Sequence, residues 1–138
     1  MSKMRSIQLK MSEPLTLHFV IELLEKVDLS IADKNGKLHI LNKESYDYEV
    51  FDYTLEEFTE LPKETRFKAF GKEIKEVEIS IINKDSFEYL YIFVGTYVKK
   101  VRVSDVEQFD FNFYYDRIVN KMNKDKCLVE LVIFEEIW

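Results

Sequence analysis

Few side chains in this 138-residue chain carry the chemistry of a catalyst. Two histidines, His18 and His39, and one cysteine, Cys127, exhaust the groups that titrate or attack near neutral pH without help. Neither histidine has a second His or a Cys within the next turn of chain, the spacing a zinc site on one element needs. Cys127 stands in the apolar run CLVELVIF, the setting of a small buried hydrophobe. No G-x-S-x-G, dinucleotide fingerprint or phosphate loop is present, and Gly36, Gly71 and Gly95 are the only glycines. The 26 carboxylates could pair in a cleft and divide acid and base roles, but their abundance makes that signal unspecific. The expectation is a protein that is not an enzyme, with no catalytic residues, no metal and no cofactor.

The carboxylates are instead unevenly placed. ESYDYEVFDYTLEEFTE, residues 44–60, holds seven of them and five aromatic rings, with no lysine or arginine. The whole chain carries −6, so residues outside this run sum to +1. Charge gathered this way steers basic partners and repels nucleic acid and anionic lipid. Asp47, Glu49, Asp52, Glu56, Glu57 and Glu60 are expected to supply charge complementarity. Tyr46, Tyr48 and Tyr53 are the candidate anchors, because tyrosine adds buried area and a polar tip.

The predicted partner is a basic protein, such as a nuclease or another nucleic-acid enzyme. Occupying its cleft would inhibit it in the manner of immunity proteins, antitoxins or phage anti-defence proteins. A seven-residue strand and a seven-residue helix span roughly 33 Å. That gives one charge per about 5 Å, against about 1.7 Å in duplex DNA. Mimicry of a duplex would need help from a second base-free interval, which carries Asp105, Glu107, Asp110 and Asp116. The plainer account is a wet strand face followed by acids at a helix N-terminus.

Two readings from other classes stand beside this one. A small-ligand pocket would be lined by Tyr89, Tyr91, Phe93, Tyr97, Phe111, Phe113 and Tyr115. Self-association, as a homodimer, would bury the run LVELVIFEEIW, which ends in Trp138.

Composition sets the frame that must position these residues. Hydrophobic residues make up 46% and charged residues 33%, enough for one core and far from a disordered chain. Residues 1–138 are expected to form one domain. The opening MSKMRSIQLKMSEP lacks the apolar stretch of a signal peptide, and no apolar run reaches membrane-span length. With one cysteine and no internal disulfide, a cytoplasmic setting is expected. Lysine outnumbers arginine 16 to 4, a skew that fits an AT-rich bacterial or phage genome.

The pattern predicts an α+β fold: a largely antiparallel sheet of about five to seven strands, one longer N-terminal helix and several short helices. Residues 6–11 alternate as a strand. Residues 15–27 have apolar spacings of three and four, with Ser12 as helix cap. A β-hairpin is expected about Asn35-Gly36, and a third extended segment over 45–53. Thr54 and Glu57 match a capping box, with Leu55, Phe58 and Leu61 inward, and PKETRFKAF is expected as a second short helix. Strands are expected over 74–82 and 87–94, the latter central because both its faces are apolar. A strand over 98–103 should turn Val101 and Val103 inward, and Ser104 or Asp105 could cap a helix. Helical spacing returns in DRIVNKMNK before a final two-sided apolar strand.

Overall fold

The computed structural model describes residues 4–95 and 98–137. Nine strands and a few short helices alternate along the described chain. They are β1 (Met4–Met11), α1 (Leu17–Lys26), β2 (Leu38–Leu41), β3 (Tyr48–Phe51), α2 (Leu55–Thr59) and β4 (Phe67–Phe70). After them come β5 (Glu76–Lys84), β6 (Phe87–Val94), β7 (Lys100–Val103) and β8 (Val106–Phe109). A last helical stretch comprises α3 (Phe111–Tyr114), a π-helical turn (Tyr115–Val119) and α4 (Asn120–Met122), and β9 (Val129–Ile137) follows. Seven strands form one antiparallel sheet in the order β3-β2-β4-β5-β6-β1-β9, and β7 and β8 form a separate ribbon. The fold is therefore α+β with a mostly antiparallel sheet.

Period-two alternation decides which face is covered. Ile7, Leu9, Ile79, Leu90 and Ile92 point to one side and are wholly buried. They share a core with Val20, Leu23 and Leu24 of α1, Phe58 of α2, Tyr114 of α3 and Ile118 of the π turn. Among the described residues the opposite face carries no helix and shows the other residue set of each strand. There Gln8 is fully buried even so, because Lys84 donates to its carbonyl at 3.0 Å and its amide donates to Ser6 at 3.0 Å. As its two apolar faces predicted, β6 is interior, between β5 and β1.

Several local expectations are corrected. The longer helix is only ten residues, and Thr16, not Ser12, caps it, accepting from the Phe19 N–H at 3.1 Å. Ser12 is engaged elsewhere, its N–H donating to Leu128 O at 2.8 Å. Around Asn35-Gly36 the hairpin shrinks to a single bridge, Ala32 to Leu38. The Asp33 carboxylate takes the N–H groups of Asn35 and Lys37 at 2.8 and 3.0 Å, closing the turn before a ladder develops. PKETRFKAF is not a helix: a turn closed by Thr65 N–H to Pro62 O leads into β4, where Phe67 and Ala69 enter the core opposite Ile79 and Val77.

Val101 and Val103 are exposed, because the β7–β8 ribbon stands away from the main sheet. Ser104, at φ 57°, lies in the turn of that ribbon, and Asp110 caps the following helix. Leu55 is exposed, leaving Phe58 as the buried residue of α2. Cys127 is exposed as well, since it precedes β9 rather than lying within it.

Candidate partner-binding edge

Residues 44–60 form one margin of the sheet. Asn42 shapes the turn into β3, its side-chain Oδ1 accepting the N–H groups of Glu44 at 2.9 Å and Ser45 at 3.3 Å. Tyr46 N–H closes onto Asn42 O at 2.8 Å, and Tyr46 itself adopts φ 59°. That places a bulky residue, 78% exposed, in the left-handed region. Among the described residues β3 then pairs with β2 alone, so its other side is a free edge. Acidic side chains suit such an edge, because they discourage another strand from adding there.

At the end of β3 the capping box forms as the spacing predicted. Glu57 N–H donates to Thr54 Oγ1 at 3.1 Å, and Thr54 N–H donates to Glu57 Oε1 at 3.0 Å. Phe58 pins the short helix to the core by an edge-on contact with Phe67 at 4.9 Å.

All seven carboxylates of the run are exposed. Their local uses differ. Asp52 pairs with Lys37, Glu49 accepts from the Asn42 amide, and Glu57 caps its helix. Among the described residues no ion pair engages Glu44, Asp47, Glu56 or Glu60. Set against Lys37 and Lys43, the run still leaves this edge at −5.

The three tyrosines part company. Tyr46 is open to solvent, whereas Tyr53 is half-buried and stacked on Phe51 at 4.7 Å. Tyr48 lies on the helix-free face and donates to the Glu78 carboxylate, beside Lys68. Burial first, then that carboxylate, pushes its phenol above the ordinary tyrosine range. Two apolar residues also stand exposed here, Val50 at 57% and Leu55, expected inward, at 56%.

The second acidic interval lies elsewhere. Glu107 faces Lys100 at 3.7 Å, Asp110 caps α3, and Asp116 pairs with Arg117 at 3.5 Å; Asp105 sits at the β7–β8 turn. Phe109 and Phe111 pack this segment on Phe134 of β9, at 6.0 and 5.0 Å. β9 and β3 are the two outer strands, six spacings of about 4.8 Å apart. The two intervals therefore do not merge into one surface.

The expected aromatic pocket is also dispersed. Tyr89, Tyr91 and Phe93 belong to the helix-free face of β6, whereas Phe111, Phe113 and Tyr115 lie on the last helical stretch. Tyr97 and Trp138 fall outside the described residues.

The histidines have local partners. His18 faces Glu22 one helical turn on at 3.3 Å. His39 Nε2 meets Asp33 Oδ2 at 2.8 Å, and its ring packs edge-on against Phe70 at 5.0 Å. That contact, with the Lys37 N–H, holds the Asp33 carboxyl down at about 2. Among the described residues, no group of His, Cys, Asp and Glu is arranged to hold a metal, and no helix is long and apolar enough to cross a membrane. No known protein family, curated protein or solved structure matches this chain.

Proposed function

We propose that this chain is a non-enzymatic binding protein that docks its acidic edge onto a basic, nucleic-acid-processing protein and inhibits or neutralises it. The observation that carries the reading is the exposure of all seven carboxylates along one edge strand, its flanking turns and the adjoining helix, with Lys37–Asp52 their one ion pair among the described residues. Clustered, solvated charge raises the encounter rate and selects partners by sign more than it adds affinity. Affinity needs anchors, and Tyr46, Val50 and Leu55 are the exposed apolar groups set among the acids. With the second interval at the far margin, the contact is a one-sided docking rather than a continuous imitation of duplex charge.

An affinity capture from lysate at low and high salt tests this, using the wild-type chain and the Asp47→Lys, Glu49→Lys double variant. Both positions are exposed, so the variant should unfold at the wild-type temperature. The expected result is one basic protein held at low salt, released at high salt and lost by the variant. Equal retention by the variant, or no basic protein captured at all, would refute the assignment.

A further inference from the structure

Away from the acidic edge, the molecule builds a positive cleft from four separate stretches of chain, 27–29, 71–75, 98–99 and 113–121. Its first half, about 570 Å³, has a floor of Val27, Leu29 and Ile74, all core residues. Its second half, about 440 Å³, shares Lys72, Glu73 and Arg117 with the first and adds Lys75, Lys99 and Phe113. Both halves have the size of small-molecule sites.

The charges are not equivalent. Lys121 is balanced by Asp28 at 2.8 Å, and the carbonyl end of α1 lies beside it. Arg117 is balanced by Glu73 at 2.7 Å, and its guanidinium lies over the Phe113 ring at 4.2 Å. Among the described residues no ion pair engages Lys72, Lys75 or Lys99. The second half therefore carries +3, in a chain whose total is −6.

These cations stand on fixed backbone. Gly71 N–H donates to Lys75 O at 3.1 Å, closing the turn that bears Lys72 and Lys75. Lys99 is held from both sides: its N–H donates to the buried Tyr114 hydroxyl at 2.8 Å, and its carbonyl accepts from Asp110 N–H at 3.1 Å. Arg117 projects from the π-helical turn, a distortion frequent at functional sites.

We propose that this cleft binds a small organic phosphate, its head group among Lys72, Lys75 and Lys99 and its apolar body on Val27, Leu29 and Ile74. A phosphate monoester, with nearly two charges and three acceptor oxygens, matches three unbalanced lysines better than a carboxylate does. The apolar floor rewards a carbon body that bare phosphate lacks. This inference is independent of the acidic edge.

Titration of the labelled protein by amide NMR with phenyl phosphate, inorganic phosphate and benzoate tests it. Phenyl phosphate should shift Gly71, Ile74 and Arg117 saturably, binding at least about tenfold tighter than either fragment. Lys75→Ala with Lys99→Ala should weaken it at least about tenfold with the remaining spectrum intact, since both side chains are exposed. Co-sedimentation with phosphatidate vesicles would assign a lipid head group as the source; phenyl phosphate binding without it would assign a soluble ester. Absent or unsaturable shifts, equal affinity for either fragment, or an undiminished double variant would overturn the proposal.

Discussion

Gly71 offers a sharp test of the packing that supports the cleft. A methyl group at this position would stand 2.7 Å from Ile74 O, 2.8 Å from Leu29 Cδ2 and 2.9 Å from Asp28 O. Two of these obstacles are main-chain carbonyls, which cannot rotate aside as a flexible side chain can. Gly71→Ala should therefore fall in the upper half of the overpacking range, about 2–3 kcal/mol. Unfolding entropy of about 2.1 cal/mol/K per residue gives this chain about 0.29 kcal/mol/K, so the melting temperature should fall by about 7–10 °C.

The other two glycines separate the causes. Gly36 adopts φ 77° with open space around it, so Gly36→Ala carries backbone strain alone, about 1 kcal/mol. Gly95 has neither a positive φ nor a described neighbour within 4 Å, and Gly95→Ala should be neutral within about 0.5 kcal/mol. Circular dichroism melts of the three variants provide the measurement. If Gly71→Ala melts with Gly95→Ala, the close approach does not constrain the turn and the steric argument is wrong.

Two further outcomes concern local hydrogen bonds. Thr54→Ala removes the acceptor of the capping box and should lower stability by about 1 kcal/mol in urea unfolding, with Thr54→Ser close to wild type. Asp33, whose folded pKa is depressed from 3.8 to about 2, contributes stability that is present above about pH 4 and lost as pH falls toward 2. Asp33→Asn should therefore be less stable at neutral pH and flatter across that acid window; parallel curves for variant and wild type would count against the His39 and Lys37 contacts.

Legibility of the fold followed the range of the forces involved. The interior strand β6 was readable because burial on both faces leaves an apolar run, and the capping box because its partners are three residues apart. β4 was missed because KETRFKAF has the composition of a helix, and only pairing with β5 makes it a strand. The turn between β5 and β6 uses Asp85 and Ser86 at φ 52° and 69°, without the glycine that would have marked it. Val101 and Val103 alternate correctly yet face solvent, since alternation cannot say whether a ribbon has anything to cover.

The candidate site divides the same way. Exposure of the carboxylates in 44–60 was legible from their density. The engagement of Tyr48 was not, because Glu78 lies 30 positions along the chain. The positive cleft left no window of sequence to find, since Lys72, Lys99 and Arg117 meet only through the fold.

The placement of β1 has a consequence for how the molecule is made. It lies between β6 and β9, and Arg5 meets Glu136 across 131 positions. Strands β2 to β6 can zip together from neighbouring segments, whereas β1 waits on one flank until the end of β9 is available. A nascent or nicked chain lacking β9 would present β1 as its margin, with Ile7 and Leu9, both fully buried in the finished fold, next to unpaired backbone. The vulnerability to clumping is thus a matter of timing, ended when the last strand clips into place.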